Sequence, residues 1–146
     1  LCNLDKKWTL SIIGKFNEAD SYYKSLVALT KHHNLENRVI FHNAIDDEKV
    51  LIEQLKKSRV YLCLSNYEGY GMANIESATL GLPLVVSDLP VFRENLKGFN
   101  RVYTNSESAS EIANAIRNTS FDSNYRNIQT RKWKDTGFSF KRVLNG

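Results

Sequence analysis

The sequence predicts an α/β domain in which helices flank a parallel sheet. Strand-like and helix-like segments alternate about five times along the 146 residues, the order that right-handed strand–helix–strand crossovers produce. The apolar segment Val60–Leu64 shows no polar alternation, which is typical of a strand buried on both faces. The length fits a single domain over residues 1–146, and the sequence contains no evident linker or internal repeat.

The first part of the chain is predicted to contain three strands and two helices. In the first helix Tyr22, Leu26 and Leu29 recur at spacings of four and three, which places them on one predicted core face. The second helix has acidic residues at its start and lysines at its end, as the helix dipole favours. In chain order the elements are strand Trp8–Ile13, helix Glu18–His33, strand Val39–His42, helix Asp46–Lys57 and strand Val60–Leu64.

The rest of the chain continues the alternation after a polar loop that contains two glycines. Gly81 and Pro83 end the helix that follows this loop, and Pro90 opens a short helix that ends near Lys97. Residues from Ser123 onward are predicted to be helical, with Trp133 and Phe138 as packing anchors. The other elements are helix Met72–Leu80, strand Leu84–Ser87, strand Arg101–Thr104 and helix Ser108–Asn118.

Composition and motifs exclude several classes of function. The 20 basic and 16 acidic side chains give a net charge of +4, which does not predict nucleic-acid binding. Two cysteines, Cys2 and Cys63, form no disulfide framework, so we expect a reducing, cytoplasmic location. The sequence has no Walker loop, no G-x-S-x-G elbow and no Cys–His nucleophile signature. Asp46-Asp47-Glu48 opens a helix and is interpreted as capping, so we expect no metal site.

The glycine-containing loop over residues 65–71 is the candidate ligand site. It follows a predicted parallel strand, and ligands of open α/β sheets lie outside the carboxyl ends of the strands. Gly69 and Gly71 allow tight turns with positive φ, and the next helix offers free N–H groups to an anion. Glu68 and Glu76 can face one crevice and bind sugar hydroxyls. The alternative is an ordinary glycine turn, followed by a glutamate that only the helix dipole favours.

The segment Ser65–Pro90 resembles the donor-binding half of GT-B glycosyltransferases, and more narrowly the retaining family 4. That family carries S-x-x-E-G-[FY]-G, then G-x-P-[VL]-V-x-S-D-x-P and a later glutamate, with two glutamates in an E-x7-E arrangement. The likeness extends over about residues 8–117. The matching positions are Ser65, Glu68, Gly69, Tyr70, Gly71, Glu76, Ser77, Gly81, Pro83, Val85, Ser87, Asp88, Pro90 and Glu94.

The resemblance implies a Rossmann-like sheet that forms one half of a GT-B fold and binds a UDP- or GDP-linked sugar. It implies retaining transfer, without a metal or other cofactor, in bacterial polysaccharide or glycolipid synthesis. Glu68 is implied as the catalytic residue beside the transferred sugar, and Glu76 as the ligand of the donor ribose. The other implied donor-binding residues are Gly69, Tyr70, Gly71, Met72 and Ala73 at the sugar and diphosphate, and Asn43 and Ala44 near the base.

Two parts of the family pattern have no match in these residues. One is a first strand unit whose Arg and Lys clamp the diphosphate, and Lys15 is a poor substitute because it follows a different strand. The other is an N-terminal acceptor-binding domain, which we expect as the partner of this domain. These residues offer neither the basic clamp for the diphosphate nor the acceptor-binding domain that would exclude water from the site. We therefore expect the 146 residues alone to bind donor weakly and to turn over essentially nothing.

Two rival functions and two interpretations of the basic tail stay open at this point. The rivals are a non-catalytic sugar-nucleotide-binding or interaction module and one half of a sugar-nucleotide epimerase. The tail interleaves basic and aromatic residues, which is typical of a solvated helix packed on the sheet or of a peripheral contact with the inner membrane face. Its basic residues are Arg126, Arg131, Lys132, Lys134, Lys141 and Arg142.

Overall fold

The structure is a computed structural model that describes residues 1–119, and these residues contain five strands and five helices in the predicted alternation. The helix predicted from Ser123, with Trp133 and Phe138, lies outside the described residues. In chain order the elements are β1 (Leu10–Ile13), α1 (Ser21–His32), β2 (Val39–His42), α2 (Glu48–Lys56), β3 (Tyr61–Cys63), α3 (Met72–Thr79), β4 (Leu84–Ser87), α4 (Pro90–Asn95), β5 (Arg101–Thr104) and α5 (Ala109–Asn118).

All strand pairings of the described residues are parallel, as the alternation predicts. The chain divides into two compact units, one over Leu1–Leu51 and the other from Ile52 onward. The first unit holds a two-stranded sheet in which β1 pairs with β2. The second unit holds a three-stranded sheet in the order β3-β4-β5. The predicted class, parallel strands flanked by helices, is therefore confirmed.

The core of the second unit is built around its middle strand. Leu84, Val85 and Val86 of β4 are fully buried, so this strand is covered on both faces. Phe92 from α4 is fully buried against the same cluster. The prediction of double-sided burial was wrong for Val60–Leu64, whose residues are only half-buried. The reason is position, because β3 pairs with a strand on one side only among the described residues, whereas β4 lies between two strands.

In the first unit the side chains pack less completely. Phe16, Tyr23 and Phe41 form an aromatic cluster with ring centroids 5.2–5.5 Å apart. The predicted core face of α1 is wrong, because Tyr22 and Leu29 are 69% and 55% exposed. The inner face is displaced by one residue to the half-buried set Tyr23, Leu26, Val27 and Thr30. Two adjacent tyrosines fit either face, and the aromatic partners of Tyr23 decide between them.

Two helices begin later than predicted because acidic side chains cap them. Asp20 Oδ1 accepts from the backbone N–H of Tyr22 at 2.8 Å, so α1 begins after it. Asp47 Oδ1 accepts from the N–H groups of Lys49 and Val50 at the start of α2. This confirms the interpretation of that acidic run as capping. None of the helices in residues 1–119 is long and apolar enough to cross a bilayer.

Candidate functional site

The connection between β3 and α3, residues 64–71, contains the predicted site and is held by two side-chain contacts from later elements. Asn95 Nδ2 at the end of α4 donates to the carbonyl oxygen of Tyr70 at 2.8 Å. Ser106, beyond the end of β5, donates to Asn66 Oδ1 at 2.9 Å. These contacts fix the loop at the carboxyl edge of the parallel sheet, where ligands of this architecture bind.

Gly71 is required at the start of α3 for two separate reasons. Its φ of +79° and ψ of 41° lie in the left-handed region, which side-chain-bearing residues avoid. A Cβ atom at this position would lie 2.8 Å from Cε1 of the buried Phe92. The prediction of a positive φ is therefore confirmed for Gly71.

Gly69 does not share this conformation, and the prediction of a positive φ there was wrong. A Cβ atom at Gly69 would meet nothing within 4 Å, and the residue is exposed. Nothing within residues 1–119 therefore requires a glycine at position 69. The open space beside it is available to a ligand.

The first turn of α3 carries backbone N–H groups that no side chain caps. The N-cap is Gly71, which has no side chain to accept a hydrogen bond. The N–H groups of Asn74 and Ile75 both bond to the carbonyl oxygen of Gly71, at 3.0 and 3.1 Å. Those of Met72 and Ala73 have no acceptor among residues 1–119. Two free donors at the positive end of a helix dipole form a ready anion site.

The two candidate glutamates lie near the same phenol. The pKa of Tyr61 is raised to about 12, first by burial and then by the negative charges of Cys63, Glu76 and Glu68. Both carboxylates must therefore lie within electrostatic range of one side chain. Glu68 Oε1 also accepts from the N–H of Gly69 at 3.1 Å. Glu68 lies in the connection before α3 and Glu76 lies within α3, and their roles as ligand-binding residues stay predictions.

The other two predicted site residues, Asn43 and Ala44, belong to the first unit. They follow β2 directly and are exposed. The preceding residue, His42, is half-buried, and its Nε2 atom has no partner among the described residues. Within residues 1–119 no three His, Cys, Asp or Glu side chains are grouped as metal ligands.

A cleft at the carboxyl ends of β4 and β5 was not predicted from the sequence. Ser87 and Thr104, the last residues of these strands, line it together with Ser65 and Asn66 of the β3–α3 connection. The signal in the sequence is a polar residue at the end of each of two apolar strands.

Comparison with known proteins gives the family. Residues 1–135 match the family described as glycosyl transferases group 1. This chain belongs to that family. It is 31% identical over 112 residues to the serotype-specific mannosyltransferase WbdA of Escherichia coli, covering 76% of this chain and 13% of that protein. It is 30% identical over 88 residues to a GDP-mannose:cellobiosyl-diphosphopolyprenol alpha-mannosyltransferase of Xanthomonas oryzae pv. oryzae, covering 60% and 22%.

Solved structures extend the likeness to the fold. Sucrose-phosphate synthase from Thermosynechococcus elongatus superposes with a TM-score of 0.71 at 22% identity, over 92% of this chain and 35% of that one. A UDP-forming α,α-trehalose-phosphate synthase from Burkholderia xenovorans superposes with a TM-score of 0.60 at 14% identity, over 87% and 32%. The predicted Rossmann-like half of a GT-B glycosyltransferase is therefore confirmed as the fold. The chain spans about a fifth or less of the length of the two mannosyltransferases above.

Proposed function

We propose that this chain is the donor-binding domain of a retaining, metal-independent glycosyltransferase of family 4. The observation that carries the proposal is the α3 N-terminus, where the N–H groups of Met72 and Ala73 lack acceptors among residues 1–119 and Glu68 and Glu76 lie in the same segment of the chain. A nucleotide diphosphate supplies the anion that this arrangement favours. The resemblance of Glu68-Gly69-Tyr70-Gly71 and Glu76 to the E-x7-E pattern supports the same placement.

The two carboxylates take different roles in the proposal. Glu76, four residues into α3, binds the ribose hydroxyls of the donor. Glu68, in the connection before the helix, lies beside the transferred sugar and stabilises positive charge that develops at its anomeric carbon. The open space beside Gly69 receives part of the sugar, which explains why a residue without a side chain stands there.

GDP-mannose is the first donor to test. Relatives of this chain include proteins described as mannosyltransferases, and one of them is described as using GDP-mannose. Asn43 and Ala44 are the proposed contacts of the base. A UDP-linked sugar is the second donor to test, because the fold is shared with a UDP-forming synthase.

A second domain and a membrane surface are the proposed partners. The relatives are far longer than this chain, so the acceptor-binding surface is assigned to a further domain of the protein and the basic diphosphate clamp to a first strand unit of this domain. The basic residues of the tail, which lie outside the described residues, are proposed to approach the inner membrane face, where acceptors linked to a lipid reside. Without the clamp and the acceptor wall, the 146 residues are expected to transfer no sugar in an activity assay.

Calorimetric titration of the chain with GDP, UDP and ADP tests the proposal. Binding of GDP or UDP is expected, and Glu76→Ala should weaken it by about 1–3 kcal/mol, the loss of a hydrogen bond to a charged group. Glu53→Ala is the matched control, because Glu53 is an exposed helical glutamate paired with Lys56. The proposal fails if neither nucleotide binds, or if Glu76→Ala and Glu53→Ala bind it equally well.

Gly69→Val separates ligand binding from folding. Because a Cβ at Gly69 meets open space, the free energy of unfolding should change little, while donor-sugar binding should weaken through steric overlap. Gly14→Val is the control outside the site, where a Cβ atom would make an ordinary contact with Phe16 at 3.7 Å. Full affinity for GDP-mannose in Gly69→Val would remove position 69 from the sugar site.

A further inference from the structure

The cleft at the carboxyl ends of β4 and β5 has the features of a second binding site. It has a volume of about 660 Å³ and is open to solvent. We propose that it binds a neutral, hydroxyl-rich ligand, a saccharide unit, separately from the anion site at the start of α3. Its lining includes Ser65, Asn66, Ser87, Leu89, Tyr103 and Thr104.

Two buried hydroxyl groups in the cleft lining lack hydrogen-bond partners. Ser87 and Thr104 are 3% and 5% exposed, and they stand opposite each other in the parallel register of β4 and β5. Neither Ser87 Oγ nor Thr104 Oγ1 has a partner among the described residues. An unpaired buried hydroxyl destabilises the folded state, so folded proteins rarely contain one without a ligand or water to supply the bond.

The charges of the cleft select against an anion. Glu107 and Glu111 are exposed carboxylates of the lining, and the lining residues of the described chain include no Lys or Arg. Asp88 is already engaged by Arg93, with Nε–Oδ1 and Nη2–Oδ2 distances of 2.6 and 2.7 Å. A phosphate would therefore be repelled here, in contrast to the start of α3.

The remaining chemistry fits a sugar ring. Hydroxyl, amide and carboxylate groups offer both donors and acceptors to ring hydroxyls, and charge-assisted bonds from hydroxyls to carboxylates are short and strong. Leu89 adds apolar surface for the C–H face of a pyranose, whereas the ring of Tyr103 is packed by the guanidinium groups of Arg93 and Arg101 at 4.9 and 5.5 Å. The choice of a saccharide over another polyol rests on the proposed function, in which the protein elongates a glycan.

Amide chemical shifts of the full ¹⁵N-labelled chain test the site, with methyl α-D-mannopyranoside as the probe. Shifts are expected at Ser65, Ser87, Thr104 and Asn105. The double variant Ser87→Ala with Thr104→Val should weaken this binding about tenfold or more while the fold is kept, because it removes only unpaired hydroxyls. Thr104→Val alone provides a milder variant, and Ser25→Ala, which removes an exposed helical hydroxyl, is the matched control.

A parallel titration with GDP separates this inference from the proposed function. GDP should shift amides at residues 69–73 and leave the cleft residues unchanged. The inference is overturned if the mannoside shifts no cleft amide, if both Thr104→Val and the double variant bind it as tightly as the wild type, or if GDP itself shifts the cleft amides. Mannoside shifts in the cleft without any GDP binding would support the inference and contradict the proposed function.

Discussion

The two units of the chain are built from the same parallel strand–helix pattern but differ in how completely they bury it. In the second unit β4 and Phe92 are fully buried, and all buried apolar residues of the described chain except Leu4 belong to this unit. In the first unit, by contrast, Tyr22, Leu29 and Ile40 are exposed. The Phe16–Tyr23–Phe41 cluster is only half-buried.

This difference separates the candidate site residues into two groups. The proposed anion site and the glutamates belong to the second unit, which has the more buried core. There Phe92 leaves no room for a side chain at Gly71, and Asn95 donates a hydrogen bond to the carbonyl oxygen of Tyr70. A rigid support of this kind keeps donor groups in place before a ligand arrives. Asn43 and Ala44 stand on the unit with the more exposed side chains, so their contribution to affinity should be smaller.

Truncating one aromatic residue in each unit is expected to give the largest difference in the free energy of unfolding between the two units. Phe92→Ala should lower the free energy of unfolding by about 3–5 kcal/mol, because it opens a cavity in a fully buried cluster. Phe41→Ala should lower the free energy of unfolding by about half as much, since the ring of Phe41 is already partly in contact with water. Urea denaturation of both variants measures the comparison. Equal losses would show that the two units are equally well packed.

Substituting one glycine in each unit is expected to give an intermediate difference in stability between the two units. Gly71→Ala should destabilise the fold by about 1–3 kcal/mol, because it combines a positive φ with a Cβ contact to Phe92. Gly14→Ala, without a positive φ and with a Cβ contact of 3.7 Å, is the control and should change stability by less than about 1 kcal/mol. Thermal unfolding distinguishes the two. A Gly71→Ala protein as stable as Gly14→Ala would mean that the turn before α3 adapts freely.

The titration of Tyr61 is expected to change the stability of the fold least of the three. Its pKa is raised to about 12 from 10.0, mainly by burial, so the fold favours the neutral phenol. Stability should therefore be complete below pH 10 and should decline as the pH rises towards 12, and Tyr61→Phe should remove this decline. Glu68→Gln and Glu76→Gln should each lower the pKa of Tyr61, measured by tyrosinate absorbance, with Tyr23→Phe as the control for one lost phenol. No change in either glutamine variant would place that carboxylate away from Tyr61.

The order of the elements could be predicted from the sequence because it depends on local periodicity and on capping residues. β2, β4 and β5 have the predicted bounds, and the helices differ from prediction mainly by a turn or less at their ends. Burial could not be predicted in the same way. Which side of α1 faces inward depends on Phe16 and Phe41, and which strand is covered on both faces depends on the sheet order.

The candidate site could be predicted in part for a similar reason. Glu68, Gly71 and Glu76 lie in one continuous segment, so their grouping follows from a short loop and a helical turn. The cleft beside them is formed by Ser87 and Thr104, which are 17 positions apart and meet only through the register of β4 and β5. A pairing of that kind is not visible in a single sequence.

The most direct test of the account is to follow the backbone amides of Met72 and Ala73 while GDP-mannose is added to the ¹⁵N-labelled chain. The account predicts that these two amides, with Gly69 and Gly71, show the largest shifts, and that Glu76→Ala greatly reduces them at the same nucleotide concentration. Shifts centred anywhere else in the chain, or shifts at Met72 and Ala73 that Glu76→Ala leaves unchanged, would contradict it.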